Sequence, residues 1–275
     1  MRIDAHQHFW QLAARQGAWP PPELAAIHRD FHPADLSALL TENGVAATVL
    51  VQSMPSEADT RYMLDLADRH SFIGAVVGWT DLKAADAPER ITALAAHPKL
   101  RGLRPMLQDL DDDRWIDDPA LAPAVDAMLR HGLRLDGLVL PHHLPALLAF
   151  ARRHPELPIV IDHAAKPAMD GAPHAQWRDD MDKLAALPQV ECKLSGMVTE
   201  AGPEWTVEQL RPYAQHVLQA FGPERVMWGS DWPVLTLASG YAAWLAASEA
   251  LLAHLNEAQR SAVFGLNARR FYRID

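Results

Sequence analysis

The chain has 275 residues, 49% of them hydrophobic, and a formal net charge of -10 at pH 7. That length suffices for one large core, and the acidic balance disfavours nucleic acid or an anionic membrane surface as a partner, because phosphate binding needs concentrated Lys and Arg. Cys192 is the single cysteine, which excludes an intrachain disulfide and leaves His and carboxylates as the ligands for any metal.

No stretch approaches the roughly 20 apolar residues that span a bilayer, and Met1 to Trp10 lacks a basic region followed by an apolar run, so a cytoplasmic protein is expected. Along the chain, short apolar runs alternate with helical periods, the pattern of parallel βαβ units. A strand at Arg2 to His6 is followed by a helix at Ala34 to Glu42, a strand at Ala47 to Gln52, a helix at Thr60 to Arg69, and strands at Phe72 to Trp79 and Leu100 to Arg104. A helix at Leu121 to Arg130, a strand at Leu133 to Leu138, a helix at Leu144 to Arg153 and a strand at Ile159 to His163 come next. The series closes with strands at Val190 to Leu194 and Val226 to Ser230 on either side of a helix at Val207 to Phe221.

Eight strands in this order predict an α/β fold, a single-domain (β/α)8 TIM barrel over residues 1–275. Stop signals such as Asn43-Gly44, His131-Gly132 and Phe221-Gly222 make the helix-to-strand passages short. The strand-to-helix passages are long: Phe9 to His32, Pro105 to Pro119, Ala164 to Gln176 and Gly196 to Trp205. In a parallel barrel those loops gather at the carboxyl face, where barrel enzymes place their chemistry.

Three strand ends carry ionisable groups to that face. Alternation along the first strand is expected to put Asp4, His6 and His8 on one side, so that two imidazoles enter the barrel mouth, spaced for a metal or a substrate oxygen. The sixth strand delivers His163, a ligand or carbonyl polariser, and the eighth Asp231, a ligand or general base. Arg104 and Lys166, just past strand ends, are candidates to bind a carbonyl or hydroxyl, with a structural salt bridge as the competing role. Lys193, inside the seventh strand, needs a carboxylate such as Glu191 or Asp231 beside it. His142 and His143 follow Pro141 either as pocket residues or as the opening of a helix, and His28 and Gln52 are further possible substrate contacts. Of nine tryptophans, Trp10, Trp19, Trp79, Trp115 and Trp232 fall at or beyond strand ends, either as flat walls for a sugar ring or as packing for the long loops.

Asp4-Ala5-His6-Gln7-His8-Phe9-Trp10, Leu138-Val139-Leu140-Pro141-His142-His143-Leu144-Pro145, Asp162-His163-Ala164-Ala165-Lys166-Pro167, Cys192-Lys193-Leu194-Ser195-Gly196 and Trp228-Gly229-Ser230-Asp231-Trp232-Pro233 together resemble the amidohydrolase superfamily. Within it they are similar to the amidohydrolase-related branch that holds sugar lactonases of the L-fuconolactonase and L-rhamnonolactonase type, over nearly the whole chain. The resemblance implies that Asp231 activates water against a lactone carbonyl while His6, His8 and His163 either hold one zinc with Asp231 or act without metal. Many superfamily members bridge two metals with a carboxylated Lys or a Glu at the end of the fourth strand, where this chain reads Arg101-Gly102-Leu103-Arg104-Pro105. A cationic Arg104 repels metal at close range, so one divalent ion at most is expected, and none strictly required. The expected partner is a small-molecule sugar lactone, and the expected state a monomer or homodimer. Two other readings stand beside this one: a zinc-dependent amidohydrolase or decarboxylase on the same barrel, and a non-catalytic sugar-binding barrel.

Overall fold

A computed structural model describes residues 1–15 and 18–275. The strands are β1 (Arg2–Gln7), β2 (Val45–Val51), β3 (Ile73–Gly78), β4 (Leu100–Leu103), β5 (Arg134–Gly137), β6 (Ile159–Ile161), β7 (Val190–Leu194) and β8 (Val226–Trp228). Each pairs in parallel with the next, in chain order. The ring closes just past the strand ends, where Asp231 N donates to the His6 carbonyl at 2.7 Å and His8 N to the Trp232 carbonyl at 2.8 Å. The fold is the (β/α)8 barrel expected from the sequence, with strand bounds moved by no more than two residues.

The helices are α1 (Pro33–Glu42), α2 (Glu57–Arg69), α3 (Ala87–Ala95), α4 (Ala122–Arg130), α5 (Leu144–Arg153), α6 (Ala175–Ala185), α7 (Met197–Ala201), α8 (Val207–Phe221), α9 (Tyr241–Leu251), α10 (Glu257–Ser261) and α11 (Asn267–Tyr272). Their starts follow local chemistry: Ser56 caps α2 by accepting from Asp59 N, and Thr206 caps α8 by accepting from Gln209 N. Pro33, Pro88, Pro123 and Pro145 sit in first turns, where a missing N–H costs no helix bond. None of the helices among the described residues is long and apolar enough to cross a membrane.

Inside the barrel, Ile3, Ala5, Val49, Val51, Ala75, Val77, Val160 and Met227 pack with Phe271, Tyr272 and Ile274. The last helix therefore stoppers the amino end, and Arg134, first residue of β5, donates to the Phe271 carbonyl there. The carboxyl end is left to the long loops.

One sequence expectation is corrected here. Two β1 residues, Ala5 and His6, stand against the single Val49 of β2 between the pairs Asp4↔Thr48 and Gln7↔Leu50, and this extra residue shifts the alternation. Ile3 and Ala5 face the interior, His6 follows on the same side, and Asp4 faces the helix layer instead. Its carboxylate accepts from Ser230 N at 2.8 Å, His6 N at 3.1 Å and the Tyr241 hydroxyl of α9 at 2.9 Å, tying β1 to β8 and to the last large helix. Removing the Tyr241 donor leaves a buried carboxylate oxygen without its partner. Tyr241→Phe should therefore lower stability by about 1–3 kcal/mol in urea unfolding with an unchanged far-UV spectrum. An unshifted midpoint would show that this hydroxyl contributes nothing to closure.

Candidate active site

At the carboxyl face, three imidazoles converge on one carboxylate oxygen. Asp231 Oδ1 lies 3.2 Å from His8 Nε2, 3.7 Å from His6 Nε2 and 3.9 Å from His163 Nε2, all of them buried. Two glycines permit this crowding. A Cβ on Gly196, whose φ is +65°, would fall 2.6 Å from His163 Nδ1, and one on Gly229 would fall 2.8 Å from the Cβ of His6.

The backbone that presents these groups is held in an unusual conformation. His163, Ala164, Ala165 and Lys166 have φ of 53°, 51°, 63° and 49°, a left-handed turn without glycine, and Asp231 has φ of 61°. Such residues cost roughly 1–2 kcal/mol each and persist only where surroundings enforce them. Here Lys166 N donates to the His163 carbonyl at 2.8 Å, and the Trp177 indole donates to the Ala164 carbonyl at 2.9 Å.

Below the imidazoles lies a second layer of charge. Lys193 of β7, fully buried, approaches Asp136 Oδ2 of β5 at 2.6 Å, Asp162 Oδ1 at 3.0 Å and His6 Nδ1 at 3.1 Å. Its partners are thus Asp136 and Asp162, not the Glu191 or Asp231 expected from the sequence; Glu191 pairs with Arg270 at 2.8 Å. Arg104 Nη1 donates to Asp162 Oδ2 at 3.0 Å, its Nη2 donates to the Gln52 carbonyl, and Gln52 Nε2 returns a bond to the Arg104 carbonyl at 2.7 Å.

Burial and charge set the protonation states. Burial alone would raise the Asp231 carboxyl, but His163, His8 and His6 outweigh it and hold the group well below the usual carboxylate range. Burial pushes His163 down to about 4 against the pull of Asp231 and Asp162. Burial, and then the Lys193 ammonium, hold His6 well below its ordinary value, while burial also lowers His8. At neutral pH the site presents an ionised carboxylate among neutral imidazoles.

The donor set also fits a divalent metal. Ligand atoms of His6, His163 and Asp231 all lie within 4.8 Å of one another. His8 Nδ1 sits 2.7 Å from the Val51 carbonyl, an acceptor, so Nδ1 carries the proton and a bare Nε2 lone pair faces Asp231.

Residues 3–274 match the amidohydrolase family. The chain belongs to it. An L-fucono-1,5-lactonase of Burkholderia ambifaria is 58% identical over 278 residues, covering 100% of this chain and 96% of that protein. A second L-fucono-1,5-lactonase, from Burkholderia multivorans, is 39% identical over 288 residues with the same two coverages, 100% and 96%. A crystal structure of an amidohydrolase from Burkholderia multivorans with bound Zn superposes with a TM-score of 0.93 at 38% identity, over 100% of both chains.

In this amidohydrolase, a pocket of about 610 Å³ opens above the cluster, and it brings together His8, His163, Asp231, Arg104 and Lys166. His6 lies beneath them, fully buried. Trp19 lines the pocket with Met54, Met106, Leu138 and Val234, whereas the other tryptophans of the expected wall sit elsewhere. Trp10 donates to the Arg29 carbonyl and meets Phe31, and Trp232 meets Phe9 and Phe31, so both pack down the loop after β1. Trp115 lies under the Lys83 ammonium, and Trp79 is held through its backbone by Thr60 Oγ1. Exposed His142 faces Asp113 at 3.3 Å, His28 bonds the Pro20 carbonyl at 2.8 Å, and Gln52 is spent on Arg104; none of these three lines the pocket.

Sequence reasoning missed Asp136, Asp162, Ser195 and Tyr272 as parts of this centre. A usable signal was present: Asp136 and Lys193 are charges set within buried strands, and opposite charges buried in a barrel seek one another.

A histidine held near 4 folded and 6.5 unfolded binds its proton only after unfolding in the window between those values. Stability from His163 is present above pH 6.5 and is lost as pH falls towards 4. In metal-free protein labelled with ¹⁵N-histidine, His163 should keep its neutral-ring shifts down to pH 5. Protonation near pH 6.5 would overturn the electrostatic description.

Proposed function

We propose that this chain hydrolyses a 1,5-lactone of a six-carbon sugar acid to the open hydroxy acid. The observation that carries the reading is the ionised Asp231 at the floor of the pocket, with the Arg104 cation beside it. Full-length similarity to two L-fucono-1,5-lactonases supports the same substrate class.

Asp231 takes a proton from a pocket water as its oxygen attacks the lactone carbonyl carbon. Negative charge then develops on the former carbonyl oxygen, where Arg104 and the imidazole rim supply the opposing field. The ring C–O bond breaks, and the leaving oxygen receives the proton that Asp231 took. A carboxylate held so far down is a weak base. That suffices here because a lactone is an activated ester and the proton is returned within the same turnover.

A divalent ion would be held at Asp231 by imidazoles of this cluster, zinc by the character of the donors. When bound, such an ion lowers the pKa of water and polarises a carbonyl. Lys166, at the end of the left-handed turn and 3.7 Å from Glu200, supplies a donor for a ring hydroxyl at the pocket wall.

A pH-indicator assay should give higher kcat/KM for L-fucono-1,5-lactone than for unsubstituted valerolactone, by at least about tenfold per essential hydroxyl lost. Asp231→Asn should lower kcat by at least about 10²-fold with the fold intact. Equal turnover of plain and sugar lactones would remove the substrate assignment, and near-normal turnover by Asp231→Asn would remove the base.

A further inference from the structure

Lys193 stands inside the barrel with no path to solvent; its ammonium donates to Asp136 Oδ2 at 2.6 Å and faces His6 Nδ1 at 3.1 Å, with Asp162 Oδ1 3.0 Å away as an ion-pair partner. The acceptors are themselves fixed. Asp136 Oδ2 also takes the Tyr272 hydroxyl at 2.7 Å, and Asp162 Oδ2 takes Arg104 Nη1 at 3.0 Å. The same Nη1 is directed at His6 Nε2 from 3.3 Å, so His6 lies between two cations, one at each ring nitrogen.

Ammonium and guanidinium groups only donate, and a neutral imidazole has one N–H and one lone pair. If Nδ1 accepts from Lys193, Nε2 carries the hydrogen. If Nε2 accepts from Arg104, its lone pair is already used. In neither state does His6 offer Nε2 to a metal ion while both cations hold their places. His8 and His163 differ: no cation contacts them within hydrogen-bond distance among the described residues, and His8 has its lone pair aimed at Asp231.

We propose that Lys193 is a positioning residue which, with Arg104, withholds His6 from metal coordination and so keeps zinc binding at Asp231 weak. His6 is then a hydrogen-bonding part of the pocket floor in every state of the enzyme. The inference rests on reading this cluster as the reaction centre, but its readout is metal binding. A failed lactone assay and a failed clamp are therefore distinguishable.

The test is zinc affinity of metal-stripped protein, measured by competition with a chromophoric chelator. All variants carry His142→Asn, which silences the exposed group of Asp113, His142 and His143. Lys193→Met/Asp136→Asn removes the cation together with its nearest partner and leaves net charge unchanged. It should bind zinc at least about tenfold more tightly, because His6 becomes available. Unchanged or weaker binding by the folded double variant overturns the proposal.

A second variant decides the matter even if that one does not fold. His6→Asn keeps an acceptor near Lys193 but has no atom at Nε2, and zinc affinity should stay within about fivefold of the parent, whereas His163→Asn should lose about 10²-fold. A larger loss in His6→Asn shows that His6 is a ligand and overturns the clamp.

Discussion

Asp162 is the group on which the arrangement of this centre depends. One carboxylate oxygen faces the Lys193 ammonium and the other the Arg104 guanidinium, each at 3.0 Å and out of contact with water. Burying an ion costs several kcal/mol, and removing one partner of a buried pair typically costs about 3–5 kcal/mol because the other charge is stranded. Such a network adds little net stability; it makes other arrangements of the strands worse. Through Arg104 it engages β4 and Gln52 after β2, through Lys193 it engages β7 and Asp136 of β5, and both cations meet His6 of β1. Charge, more than apolar packing, sets where His6 stands.

The rigid floor lets the loops above it hold strained geometry. Five non-glycine residues of the centre, 163–166 and Asp231, have positive φ. At roughly 1–2 kcal/mol each this is comparable with the whole margin by which a domain of ordinary stability stays folded. The turn survives because indole and backbone donors engage its carbonyls and because Gly196 leaves room for the His163 ring. Nothing in Asp162-His163-Ala164-Ala165-Lys166 has the glycine or asparagine that usually marks left-handed backbone. Tertiary contacts impose the conformation on residues that would not choose it.

That distinction explains what could be read in advance. Strand order, barrel and the convergence of His6, His8, His163 and Asp231 on one face follow from apolar periodicity and strand-end placement, both local properties of the chain. The face on which Asp4 lies depended on one extra residue in β1, which period-2 counting does not see. The tryptophans mislead for a related reason: position after a strand gives the correct end of the barrel, but not whether a ring points into the pocket or down onto Phe9 and Phe31. Lys193 is expected from the sequence to meet Glu191 of its own strand or Asp231 after the eighth, whereas its carboxylates come from β5 and from the end of β6.

The pocket's charges bear on which ring it favours. Arg104 and Lys166 are matched by Asp109 and Asp231 in the same lining, and Arg104 is already engaged by Asp162 while Lys166 faces Glu200. No cation there lacks a carboxylate neighbour, so a substrate carboxylate would have to displace one and would meet the field of Asp231 at close range. A hydroxyl has no such difficulty, since it donates to a carboxylate and accepts from a cation at once and fits between the members of a pair without breaking it. With Trp19, Met54 and Met106 covering the apolar edge, the lining suits an uncharged ring that carries several hydroxyls and one electrophilic carbonyl.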